Sequence, residues 1–213
     1  SGFFRAWPAG ESMPNATFLN YAARQDITNT GSIPVSGSGA MAVRTFGGSA
    51  HYVIDVQGYF IDAADLPAAV QANGAEVIGA EYASITPCRT VDTRKGGGPF
   101  ANREIRDYQI AGVGTRFTSQ GGQPGGCGIP MGIVGVEASI TAVSPNDSGF
   151  FRAWPSDESM PNATFMNFAQ GEDITNTGSV TLAVSGDDDL RVRNFGGSAE
   201  YVIDIQGYYS PFD

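Results

Sequence analysis

Hydrophobic and polar residues alternate through much of this chain, in short runs between turn-forming residues. In residues 201–206 (YVIDIQ), every second side chain beginning with Tyr201 falls on one face of an extended chain. Similar runs occur at residues 135–143, 163–168, 180–184 and 190–195. A period of two is typical of β-strands that bury one face. The pattern therefore predicts a strand in each of these five runs.

Clusters of Gly, Pro, Asn, Asp and Ser separate the runs. They include TNTGS at residues 175–179, SGDDD at 185–189 and FGGSA at 195–199. Short strands with frequent turns predict an all-β fold, an antiparallel β-sandwich with jelly-roll-like modules. Residues 62–80 are rich in Ala but are interrupted by Pro and Gly, so we interpret them as a linker with at most one helical turn or a short added strand.

A large part of the sequence occurs twice. Residues 1–33 match residues 148–180 at 25 of 33 positions, and residues 43–60 match residues 192–209 at 14 of 18. Residues 82–147 have no such counterpart ahead of Ser1. The duplication predicts one partial and one complete copy of a module. We assign the C-terminal half of a module to residues 1–60, a linker to 61–81 and a complete module to 82–213.

The duplication leaves two closing halves and one opening half in the chain. A closing half alone would expose an apolar sheet face and unpaired backbone groups. We expect residues 1–60 to pack with residues 82–147 or with the end of an adjacent molecule. A non-identical contact of this kind propagates head to tail, so we predict a homo-oligomer or filament that assembles by strand or half-domain complementation.

Composition narrows the possible partners and cofactors. The chain has 12 basic and 22 acidic residues without a Lys or Arg cluster, which disfavours nucleic acid as a partner. No run of eighteen apolar residues occurs, so we expect no membrane insertion. Cys88 and Cys127 favour a disulfide in a loop-rich chain, with two free thiols as the alternative. With His51 they are too few for a zinc site, and we expect no metal and no cofactor.

Five ordered motifs carry a family resemblance. They are TPCRTVDTR at residues 86–94, CGIP at 127–130, FRAWPSDESMPNATFMNF at 151–168, DITNTG at 173–178 and GSAEYVIDIQGYY at 197–209. This order resembles a repeat domain abundant in secreted and surface proteins of bacteria, and residues 2–60 resemble its latter part. The resemblance implies β-sandwich modules, often in tandem, at an extracellular or cell-surface location, with no established catalytic activity. It also places Cys88 and Cys127 on family positions, which strengthens the disulfide prediction.

Two aspartates in the closing strands need a counter-charge. Asp55 and Asp204 lie in mid-strand among apolar residues, where an unpaired carboxylate would be costly. We expect Arg94 or Arg89 to hold Asp204 in a bidentate ion pair, with Arg94 as our assignment. Asp55 then needs an arginine as well, either Arg94 of the same chain or one from a neighbour.

The remaining candidate residues offer little chemistry. His51 is the only histidine and its counterpart is Glu200, so we predict no enzyme, with a hydrolase as the least favoured reading. The acidic run at residues 187–189 fits a solvated turn better than a calcium loop.

Trp7 and Trp154 fit either a core or a sugar-stacking platform. A glycan-binding module that anchors a larger protein to cell wall or polysaccharide is therefore the alternative function. A third hypothesis is that the chain is a fragment of a longer tandem protein.

Overall fold

The computed structural model describes residues 1–61, 79–184 and 188–212, and β-strands dominate its regular structure. The first copy supplies β1 (Gly2–Pro8), β2 (Leu19–Tyr21) and β3 (Met41–Gly47). These strands form one antiparallel sheet in the order β2-β1-β3. Most of the predicted linker falls outside the described residues. Its last two residues, Ala80 and Glu81, begin the first strand of the next unit.

The described residues 79–184 and 188–212 contain eight strands and one short helix. The strands are β4 (Ala80–Asp92), β5 (Ile105–Tyr108), β6 (Gly135–Val143), β7 (Gly149–Pro155), β8 (Met166–Phe168), β9 (Ile174–Thr181), β10 (Leu190–Gly196) and β11 (Glu200–Pro211), and helix α1 spans Arg116–Ser119. They form two antiparallel sheets, β5-β10-β7-β8 and β4-β11-β6-β9. The predicted all-β fold with antiparallel sheets is confirmed.

A hydrophobic core joins the two sheets of this complete module. In β11, Tyr201, Ile203 and Ile205 are buried, as their alternation predicts, and every second residue of β6 is buried beside them. Phe151 of β7, in the opposite sheet, packs on Tyr201 with 4.4 Å between ring centroids. Inward-facing side chains from both sheets therefore build a sandwich-like core.

A disulfide and a loop cover part of β4. Cys88 of β4 is bonded to Cys127, with 5.8 Å between their Cα atoms. Close by, the backbone N–H of Gln123 donates to the carbonyl oxygen of Arg89 at 2.8 Å. The predicted disulfide is confirmed, and it ties the opening strand to the loop that follows α1.

The predicted turn at residues 175–179 is wrong, because these residues form the middle of β9. Their polar side chains have partners in the sandwich. Asn176 is buried and its Nδ2 donates to the carbonyl oxygen of Phe165 at 2.7 Å. The neighbouring threonine hydroxyls pair with hydroxyls of β6. The strand expected at residues 180–184 is correspondingly the end of β9, which stops at Thr181.

Candidate association surface

The partial copy repeats the local structure of the complete module. β1 pairs with β3 in the same register as β7 pairs with β10. Gly2 lies opposite Gly47, and their counterparts Gly149 and Gly196 lie opposite each other. Arg5 Nη1 donates to the carbonyl oxygen of Pro14 at 2.9 Å. The corresponding bond from Arg152 to Pro161 measures 2.8 Å. Similar sequences thus give the same three-stranded framework in both copies.

The closing segment, which we define as residues 51–61, departs from this equivalence. It forms no strand, and its large apolar side chains lie in solvent. Val53 is 87 % exposed, Ile54 59 % and Val56 79 %. Their counterparts in β11 are almost fully buried: Val202 at 4 %, Ile203 at 0 % and Ile205 at 0 %.

The two copies diverge immediately after Tyr52. The Tyr52 ring packs against Phe4 with 4.9 Å between centroids, and its Oη lies 2.7 Å from Thr45 Oγ1. In the complete module, Tyr201 makes the equivalent contacts with Phe151 and Asn194. At Tyr52 the closing segment therefore has the same contacts as its counterpart in the complete module. Beyond Tyr52 its apolar side chains are exposed.

The reason lies in the strand order of the complete module. β11 is an inner strand, and its backbone pairs with β4 on one side and with β6 on the other. Residues 1–61 contain counterparts of β7, β8 and β10 but none of β4 or β6. Among the described residues, the closing segment has no strand partner. It is an exposed apolar segment with free backbone groups, which favours association.

The two copies touch through a polar contact. Thr28 Oγ1 accepts a hydrogen bond from Asn167 Nδ2 at 2.7 Å, and Thr30 Oγ1 accepts one from Asn176 Nδ2 at 2.8 Å. The side-chain hydrogen bonds between the copies, within the described ranges, end on residues 164–176. The partial copy therefore docks on β8, β9 and the residues next to them. These bonds do not involve residues 82–147, where we expected the in-chain packing.

Asp204 has an arginine partner, but the partner is Arg89. Arg89 Nε and Nη2 donate to the two carboxylate oxygens of Asp204 at 2.9 and 3.0 Å. The assignment of Arg94 is wrong because β4 places Arg89 directly opposite Asp204 in the sheet. The bidentate pair connects the opening strand to the closing strand, as expected for this position.

Arg94 belongs to a second ion pair, centred on Asp92. Arg94 follows the end of β4 and donates from Nε and Nη2 to Asp92 at 2.7 and 2.8 Å. The Asp92 side chain is fully buried, and Arg89 Nη1 lies 3.2 Å from its Oδ2. The hydrogen bonds from Arg94 lower the pKa of Asp92 from 3.8 to about 2, against the effect of its burial.

Asp55 has no arginine partner among the described residues. It lies exposed in the closing segment, and its Oδ2 accepts a hydrogen bond from the backbone N–H of Thr164 at 3.3 Å. The expected ion pair therefore forms only in the complete module.

The two tryptophans do not form a shared platform for sugar. Trp154 is 4 % exposed, and its Nε1 donates to the carbonyl oxygen of Glu158 at 3.2 Å. Its ring is therefore part of the core. Trp7 repeats this bond with Glu11 at 3.1 Å and is half-buried. A glycan contact at Trp7 remains a prediction.

The other candidate residues do not gather into a reactive centre. His51 is exposed at the start of the closing segment. The described residues contain no group of three or more His, Cys, Asp or Glu side chains that could hold a metal. The expectation of a solvated turn is wrong for Asp189, which is buried and accepts hydrogen bonds from the backbone N–H groups of Ile110 and Ala111 at 2.7 and 2.8 Å.

Fold and surface together define a β-sandwich module accompanied by a partial copy whose closing segment has no strand partner within the described residues. No protein-family model matches the chain, and no curated protein matches it. Within the described ranges, no helix is long and apolar enough to cross a membrane.

Proposed function

We propose that this protein is a structural module of an extracellular bacterial surface assembly and that it associates with further copies of itself through the closing segment. One observation carries the proposal: nearly the same sequence is buried as β11 in the complete module and exposed in the partial copy. The complete module shows which partners this sequence takes, namely neighbouring β-strands. Association would supply such a strand.

The exposed side chains provide the driving force. Burial of one Val or Ile side chain contributes about 1.5–3 kcal/mol. Val53, Ile54 and Val56 are all available for such burial, and Phe60 follows them at 81 % exposure. Strand pairing would also satisfy backbone groups that have no ladder partner in the partial copy. Part of this gain offsets the entropy lost on association.

Strand addition is the form of association that we propose. If the closing segment replaced β11 in another copy, the displaced β11 would expose almost the same residues, and little apolar surface would be buried on balance. Addition to an outer strand leaves the complete module intact. In the described part of the chain, β4 and β9 are the outer strands of their sheet and have one neighbouring strand each. Such a contact joins different surfaces of two copies, and it propagates head to tail.

The disulfide supports the extracellular part of the proposal. The bond between Cys88 and Cys127 requires oxidising conditions to form and persist. Secreted and surface proteins meet these conditions, whereas cytosolic proteins rarely carry such bonds. The resemblance of the motifs to bacterial surface repeats agrees with this location.

Light scattering after size-exclusion chromatography, over a concentration series, tests the proposal. We expect the mean mass of the wild type to rise with concentration. The double variant Val53→Asp, Val56→Asp should need at least a tenfold higher concentration to reach the same mass, because both charges would be buried on association. Val35→Asp is the matched control: Val35 is also apolar and 57 % exposed, but it lies outside the closing segment.

A wild type that remains a monomer across the series would contradict the proposal. So would a double variant that associates as readily as Val35→Asp.

A further inference from the structure

The contact between the two copies uses two pairs of side chains and one glycine. We call Thr28 and Thr30 the threonine pair of the partial copy, and Asn167 and Asn176 the asparagine pair of the complete module. Each asparagine Nδ2 donates to one threonine hydroxyl, at 2.7 and 2.8 Å. A Cβ atom built on Gly178 would lie 2.7 Å from Thr30 Cγ2, so the absence of a side chain lets Thr30 approach β9.

Every residue of this contact occurs in both copies. The partial copy has its own asparagine pair and glycine, and the complete module has its own threonine pair. These counterparts are Asn20, Asn29, Gly31, Thr175 and Thr177. The contact seen within the chain uses the threonine pair of the first copy and the asparagine pair of the second. The reciprocal set takes no part in it.

The amides of the asparagine pair in the partial copy are available for the same hydrogen bonds, while at Gly31 a Cβ atom would lie 3.1 Å from the Phe18 ring. Asn20 and Asn29 are exposed. Asn29 Nδ2 donates one hydrogen bond, to the carbonyl oxygen of Phe18 at 2.8 Å. Its counterpart Asn176 donates the equivalent bond to Phe165 and a second bond to Thr30. An amide nitrogen carries two hydrogens, so Asn29 retains the one that Asn176 gives to the neighbouring copy.

The threonine pair of the complete module can accept such bonds. Thr175 is exposed, and its Oγ1 lies 2.8 Å from Thr141 Oγ1. Thr177 Oγ1 lies 2.7 Å from Ser139 Oγ. A hydroxyl has one donor hydrogen and two acceptor sites, so each threonine can keep its partner in β6 and still accept from an asparagine.

A further polar pair would again match a hydrogen-bond donor with an acceptor if the copies exchanged roles. Within the chain, Gln25 Nε2 donates to Glu172 Oε2 at 3.3 Å. Glu172 is the counterpart of Gln25. In the reciprocal contact the carboxylate of one chain would face the amide of the other, again one donor and one acceptor. The bond from Thr164 to Asp55 would not repeat, because Arg89 holds Asp204, the counterpart of Asp55.

We infer that a second copy of this chain docks its Thr175 and Thr177 on Asn20 and Asn29 of the first copy, repeating the contact that joins the two copies within the chain. The two surfaces differ, so the contact extends head to tail. This inference rests on the proposed self-association but assigns it a second surface, separate from the closing segment.

Matched alanine variants test the inference in the same concentration series. Asn20→Ala removes a donor of the intermolecular contact only, whereas Asn167→Ala removes the corresponding donor of the in-chain contact only. We expect Asn20→Ala to raise the apparent dissociation constant about threefold to tenfold, the cost of one hydrogen bond at an interface. Asn167→Ala should leave this constant within about twofold of wild type.

A second pair of variants examines the other side of the contact. Thr175→Val should weaken association as Asn20→Ala does, and Thr28→Val should not. Thermal unfolding of the variants checks that Asn20→Ala and Thr175→Val, both at exposed positions, keep the fold.

If Asn20→Ala and Thr175→Val associate like their controls, the inference is overturned, while the effect of Val53→Asp, Val56→Asp still decides the proposed function. If Asn20→Ala weakens association and the double variant associates normally, the threonine–asparagine interface is supported, and the proposal that the closing segment takes part in association is rejected.

Discussion

The partial copy and the complete module share most of their sequence but differ in the apolar side chains that they bury. β1, β2 and β3 pair as β7, β8 and β10 do, with the same arginine and tryptophan hydrogen bonds. The apolar side chains of the closing segment, in contrast, are exposed, whereas their counterparts in β11 are buried. Local sequence is sufficient for the three-stranded framework, whereas the closing strand depends on two strands from elsewhere in the chain.

This difference separates short-range from long-range contributions to one fold. The partners of β11 lie far away in sequence: Arg89, which holds Asp204, is 115 residues distant. Ordering such contacts costs loop-closure entropy, which burial on both sides must offset. The partial copy has the closing sequence without this burial, and its closing segment accordingly remains outside the sheet.

The largest effect should come from the disulfide, which only the complete module has. Replacing both Cys88 and Cys127 with Ser opens a link across a sequence separation of 39 residues. In the chain-entropy model such a link stabilises the fold by about 4 kcal/mol. We expect urea denaturation of the double variant to show a loss of this size in the free energy of unfolding. A loss below about 1 kcal/mol would mean that the bond does little to hold β4 in place.

Ile203 and Ile54 provide a matched pair at the same position of the repeat. Ile203→Ala opens a cavity in the sandwich core and should lower the free energy of unfolding by about 3 kcal/mol. Ile54→Ala changes an exposed side chain and should stay within about 0.5 kcal/mol of wild type. Urea denaturation at low protein concentration, where the monomer dominates, measures both. Equal losses would show that the closing segment is buried in solution.

Much of the fold follows from the sequence because its signals are periodic or repeated. Alternation in residues 201–206 identifies the two faces of β11, and the duplication identifies the partial copy. The disulfide follows from the only two cysteines in the chain. These features depend on local pattern or on counting, which need no knowledge of strand register.

Features that depend on register could not be predicted. Both Arg89 and Arg94 lie in the motif at residues 86–94, and only the register of β4 against β11 places Arg89 rather than Arg94 opposite Asp204. The polar run at residues 175–179 forms strand because hydroxyls of β6 and a backbone carbonyl satisfy its side chains. The contact between the threonine and asparagine pairs has no hydrophobic pattern at all, and only the folded arrangement shows it.

Acid should weaken the complete module through Asp92, which has no counterpart in the partial copy. Hydrogen bonds from Arg94 lower the pKa of Asp92 in the folded state from 3.8 to about 2. The stabilisation from the ionised carboxylate is therefore complete above the unfolded-state pKa and is lost as the pH falls through the folded-state value. We expect the free energy of unfolding to drop between these two values, and less steeply in Asp92→Asn. Arg94→Gln, which removes the main cause of the shift, should also flatten the profile; parallel profiles in all three proteins would contradict this account.

The smallest effect that distinguishes the copies concerns Asn176 and Asn29. Asn176 donates to the carbonyl oxygen of Phe165 at 2.7 Å, and Asn29 donates to that of Phe18 at 2.8 Å. Only Asn176 is buried. Asn176→Ala leaves a buried carbonyl without its donor and should cost about 1–2 kcal/mol, whereas water can replace the amide in Asn29→Ala. Because Asn176 also donates to Thr30, the variant Thr30→Ala measures that second bond alone. If Thr30→Ala accounts for the whole loss in Asn176→Ala, the bond to Phe165 adds no stability, and the two copies are equally stable at this position.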